Sequence, residues 1–113
     1  MATQNEKLTF SHNFNSKLFS DTFTTLRIWN PKRYMVGRVF DVWLTDRQPW
    51  GQAEVIAVKK TKLSQLNDWL CYLDTGYNLE ETEKMFRTMY KNNETLQQTN
   101  DLALSYVLLK KIK

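Results

Sequence analysis

Past Lys62 the spacing of apolar residues changes from every second position to every third or fourth, which confines the chain to folds that set packed helices against a sheet. Residues 22–29 place Phe23, Thr25, Arg27 and Trp29 on one face and Thr22, Thr24, Leu26 and Ile28 on the other, a strand pattern rich in Thr and aromatics. Residues 38–45 alternate in the same way, 46–51 read as a turn, and 52–60 form a third strand through Val55, Ile56 and Val58. Leu63, Leu66, Leu70 and Leu73 then mark a helix closed by Thr75 and Gly76. Asn78 caps a second helix, with Glu81 at the capping-box position and Leu79, Thr82, Phe86, Met89 and Tyr90 as its inner stripe. After a polar connector over 92–101, residues 102–112 are apolar on both faces, as in a strand central to a sheet.

Ahead of these elements, Leu8, Thr9 and Phe10 read as a short first strand, and Phe14, Leu18 and Phe19 as one short helix ending near Ser20 and Asp21. The predicted order is β-α-β-β-β-α-α-β, with residues 22–60 running as a meander. The expected class is α+β: a small, mainly antiparallel β-barrel with helices over its openings. No Gly-rich phosphate loop follows any strand, which sets doubly wound folds aside. At 113 residues the chain suits one domain with one core, placed at 8–113, after a polar, disordered or extended N-terminus at 1–7.

Apolar residues make up 42% and charged residues 25% of the chain, an ordinary globular balance. There is no apolar run long enough for a secretory signal or a membrane span, so a soluble, cytoplasmic protein is expected. Cys71, the single cysteine, lies in an apolar run and reads as a buried thiol. His12 has no second histidine or suitably spaced cysteine, so neither a zinc site nor a Ser-His-Asp triad is expected, and no cofactor is called for.

The net charge of +4 is unevenly placed: residues 1–62 hold ten Lys and Arg against five acids, whereas residues 63–83 hold five acids and no base. A basic front half suits a polyanion. Within it, Thr25 and Arg27 share a strand face and Lys32 and Arg33 follow closely, a hydroxyl beside a guanidinium fork that suits phosphate or carboxylate. Trp29, Tyr34, Trp43 and Trp50 are interleaved with these charges, as stacking on exposed bases requires, and Trp50 is the exposed candidate because Pro49 and Gly51 flank it in a turn. Among the acids, Glu80, Glu81 and Glu83 are explained by the N-terminus of the second helix, and Glu81 by its cap. Asp74 is not, and reads either as a turn residue or as a general base facing a cleft.

These residues give the chain a resemblance to the ASCH domain family, a branch of the PUA-like fold. It is carried by the Leu8 to Phe10 strand, the helix leading into Thr22-Phe23-Thr24-Thr25-Leu26-Arg27, the strand from Gly51 to Val58, and the run from Asp74 to Glu81 that leads to Met89 and Tyr90. The resemblance implies a β-barrel with a cleft beside the first helix, and RNA as the ligand; a bacterial branch removes the acetyl group from acetylated cytidine. The family's early motif is Gly, any residue, Lys, two residues, an acid or Thr, one residue, then Arg. Here those places hold Ser20, Thr22, Thr25 and Arg27. Thr22 thus stands where the deacetylating branch has its catalytic lysine, and a hydroxyl does not replace an amine as base. Two expectations follow. The first is a module for RNA or a nucleotide, with Thr22, Thr25, Arg27, Lys32 and Arg33 as polar contacts and Trp29, Trp50 and Tyr77 as stacking residues. The second is an amidohydrolase for a modified nucleoside, with Thr25 as nucleophile or orienting hydroxyl, Lys17 in place of the missing lysine and Asp74 as base.

Overall fold

A computed structural model describes residues 5–112, with Asn15 described by its backbone alone. Five strands form one mixed sheet in the order β1-β3-β4-β5-β2. They are β1 (Glu6–Phe10), β2 (Thr22–Ile28), β3 (Val39–Leu44), β4 (Gln48–Lys62) and β5 (Ala103–Ile112). Three of the four pairings are antiparallel; β1 runs parallel to β3. Helices α1 (Asp68–Thr75), α2 (Leu79–Met89) and α3 (Glu94–Thr99) fill the stretch between β4 and β5. The fold is α+β with a barrel-like sheet.

The sheet curls until its two edges, β1 and β2, face each other. Phe10 on β1 meets Phe23 on β2 edge to face, with ring centroids 5.9 Å apart. The inner cluster draws buried side chains from every strand: Leu8 and Phe10, Phe23, Phe40 and Val42, Ala53 and Val55, and Val107 and Leu109. Backbone hydrogen bonds do not close the seam between β1 and β2, which are not neighbours in the sheet. Arginines cross it instead. Arg27 Nη2 donates to the Thr9 carbonyl at 3.0 Å, and Arg33 Nη2 donates to the Lys7 carbonyl at 2.9 Å.

A second cluster lies on the other face of the sheet, where Leu26 and Leu104 meet Leu63, Leu66, Cys71, Phe86, Leu96 and Leu102. The single core expected from the chain length is therefore two apolar clusters sharing one sheet, and the two-faced apolar pattern of β5 supplies both. A bulge at Ile56 keeps the long β4 in register: Val55 pairs with Leu109 and Ala57 with Leu108, so Val55 and Val58 both face inward.

Several expectations change. Residues 22–60 are not a meander, because β2 pairs with β5 at the edge remote from β3. The connection between β2 and β3 carries Tyr34 into the inner cluster, where its buried ring lies 5.9 Å from Phe40. The first helix, Phe14–Phe19, is a 3-10 helix. Leu63–Gln65 is a separate 3-10 turn, and α1 begins only at Asp68 behind the Asn67 cap. The polar connector contains α3, capped by Asn93. Glu6 and Lys7 already belong to β1, and residues 1–4 lie outside those described. Cys71 is buried, as its apolar surroundings in sequence predict.

Candidate functional site

The cleft opens where the seam between β1 and β2 meets the helices. Thr9, Phe10 and Ser11 come from the end of β1, Phe14 and Lys17 from the 3-10 helix, and Thr25, Leu26 and Arg27 from β2. Asp74 and Thr75 end α1, and Met85, Phe86, Met89 and Tyr90 complete the wall from α2 and its cap. It encloses about 260 Å³, just below the roughly 300–1,000 Å³ of most small-molecule sites.

The local sequence explains how the polar groups arrive. Ser16 takes a left-handed backbone (φ 53°) and the Asn13 side chain accepts the Leu18 N–H at 2.9 Å, so the 3-10 helix turns Lys17 inward. Its side chain is 8% exposed, and the ammonium lies 3.2 Å from Asp74 Oδ1 and 5.4 Å from the centre of the Phe10 ring. On α1 the buried positions are Cys71, Asp74 and Thr75, whereas Leu73 is 68% exposed. The inward face of this helix is one residue out of step with the leucine stripe, and that offset delivers a carboxylate to the cleft. Gly76, left-handed at φ 81°, ends the helix immediately beyond it.

Asp74 Oδ1 accepts two hydrogen bonds, from Lys17 Nζ and from Thr24 Oγ1 at 2.6 Å. Burial pushes the Lys17 ammonium below the ordinary lysine range; the Asp74 charge and hydrogen bond oppose this, and Arg27 adds to it. Arg27 is held by three features. Its Nε donates to Thr25 Oγ1 at 2.9 Å, its Nη2 bridges the seam to Thr9, and its guanidinium lies 4.7 Å from the Phe10 ring centre. Desolvation is the largest influence on it and lowers its pKa, yet a guanidinium stays charged in proteins. Among the described residues it forms no ion pair. Nε and Nη2 are thus engaged, Nη1 has no hydrogen bond to a described residue, and Arg27 lines the cleft. Two cations and one carboxylate line the cleft, a net charge of +1.

No family model matches the chain, and neither does any curated protein or solved structure.

Of the residues singled out from sequence, Lys17, Thr25, Arg27 and Asp74 converge on this cleft. The others do not. Thr22 is exposed at the start of β2, opposite Lys110. Lys32 is exposed in the loop after β2, and Arg33 is paired with Glu6 at 3.2 Å. Trp29 lies under the Lys60 ammonium, 5.1 Å from its ring centre. Trp50 is half-buried, not displayed in a turn: β4 begins at Gln48, and a register shift in its pairing with β3 beside Trp50 accompanies a ring packed on the inner core. Its indole Nε1 donates to the Leu18 carbonyl at 2.7 Å, so its polar end is already engaged. Tyr77 stands just outside the cleft, edge-on to Phe14 with centroids 6.0 Å apart. The sequence gives Thr24 and Tyr90 no site role: Tyr90 reads there as part of the inner stripe of the second helix. Thr24 is on the strand face opposite Thr25, and only the inward turn of Asp74 reveals its use.

Among the described residues no three His, Cys, Asp or Glu side chains gather as metal ligands, and His12 is exposed with its ring edge-on to Phe14. No helix among them is long and apolar enough to cross a membrane.

Proposed function

We propose that the cleft binds one nucleotide unit, free or within single-stranded RNA, with Arg27 meeting the phosphate or a base carbonyl and Phe14, Phe86 and Tyr90 flanking the heterocycle. The observation that carries this reading is a guanidinium with no carboxylate partner among the described residues, lining a small aromatic-walled cleft of net charge +1. Such a group favours an anion, and its planar fork favours oxygens in pairs. Small size and enclosure suit a single base better than a folded strand. The resemblance to the ASCH family agrees with this assignment. The test is calorimetric titration with the nucleoside 5′-monophosphates and a short single-stranded RNA. Arg27→Ala should weaken binding about tenfold or more, the loss of a hydrogen bond to a charged group. Absent binding, or equal binding by the variant, overturns the reading.

Two observations support a second reading, hydrolysis of an amide on a modified base. Lys17 is a buried amine of lowered pKa, and Thr25 accepts from Arg27 Nε, leaving its own proton free to be removed. In that reaction the Thr25 oxygen attacks the acyl carbon, the C–N bond breaks, the amine leaves with the hydroxyl proton, and water then releases the acid. The same titration with acetylcytidine, followed for acetate, tests it: turnover abolished in Thr25→Ala supports it, and no turnover removes it.

A further inference from the structure

Met85 and Met89, which wall the cleft, also line a second, more open groove of about 520 Å³, with Tyr77, Glu81, Lys84 and Thr88. Positions 81, 84, 85, 88 and 89 fall on one helical face, so the groove runs along α2 and shares a ridge of two flexible thioethers with the cleft. Tyr77 is 39% exposed and Met89 54%. Phe14, a wall of the cleft, holds the Tyr77 ring edge-on at an interplanar angle of 75°, which fixes the ring while leaving it open to the groove.

We infer that the cleft and this groove are consecutive subsites for two nucleotides of a single RNA strand, the second base stacking on Tyr77 and Met89 and its phosphate facing Lys84. The inference rests on the proposed nucleotide site. The shared ridge supports it: Met85 and Met89 line both recesses, so a strand seated in the cleft meets the groove across two apolar side chains. The charges set its character. Glu81 balances Lys84, so the second subsite contributes stacking more than electrostatic attraction, and stacking on an aromatic ring accepts any base.

Titration of each nucleoside 5′-monophosphate beside its dinucleotide tests this. The dinucleotide should bind about tenfold tighter, within the range of one base stacked on an aromatic ring. In Tyr77→Ala the ratio of the two affinities should fall to about one, and Tyr77→Phe should restore it. In Lys84→Ala the slope of log affinity against log salt should flatten by up to about 0.7, one phosphate contact on a single strand. Monophosphate binding that depends on Arg27 but gains nothing in the dinucleotide overturns this inference and leaves the cleft assignment standing. Binding of neither overturns both.

Discussion

Replacing Asp74 with Asn leaves the Lys17 ammonium buried beside a neutral amide, and removing one member of a buried pair costs about 3–5 kcal/mol. We expect a loss of that order by urea unfolding, and a substantial recovery when Lys17→Met is combined with Asp74→Leu, because apolar pairs of similar volume fill such sites well. The pH dependence has a definite sign. The folded-state pKa of Lys17 lies below its unfolded value of 10.5, so between the two the unfolded chain holds more protons. The contribution of Lys17 to stability therefore rises as pH climbs through its folded pKa and levels off near 10.5. The wild-type minus Lys17→Met difference, measured across the alkaline range, checks this. Arg27, Thr25 and Asp74 were legible as candidates because their local contexts leave their chemistry unexplained, whereas Lys17 entered only through the resemblance; that the four share one cleft is shown by the fold. Thr24 was not legible, since a strand threonine on a helix-facing surface announces nothing until its acceptor is placed.

The helices show why local signals succeed and where they stop. Asn67, Asn78 and Asn93 each accept an N–H of the first turn of α1, α2 and α3. A cap is a short-range interaction, and the α2 cap was readable directly. Asn78→Ala should cost about 1 kcal/mol by thermal or urea unfolding, and should weaken binding of the monophosphates only modestly, because the walls contributed by α2 lie a turn or more beyond the cap. The α1 period misled for a physical reason. Leu63 and Leu66 are buried by the turn that precedes the helix, so they are not on its stripe, and the helix presents Cys71, Asp74 and Thr75 inward instead. Strand partners are non-local, and nothing in residues 22–28 states that they pair with residues 104–110 rather than with the next strand.

On the scale of the whole molecule, one sheet supports two apolar clusters while its two outer strands meet without a backbone ladder. Unpaired edges are ordinarily a liability that proteins cover or blunt. Here the guanidinium of Arg27 spans the gap, and Arg33, from the loop after β2, ties down β1 further along. Arg27→Ala should therefore speed amide exchange in β1 about tenfold, the loss of one charge-assisted hydrogen bond, with β5 amides unchanged. Equal exchange in both strands would show that the crossing bond does not restrain the edge.

The dual duty of residue 27 has a mechanical corollary. A guest that takes Nη2 competes with the Thr9 carbonyl for the same cation, so occupancy and the tightness of the wall become one variable. A guest that draws the guanidinium away from Thr9 slackens the outermost strand, and one that leaves the bond in place and uses the free Nη1 stiffens it; the breathing of β1 thereby reports which face of the fork the guest has taken.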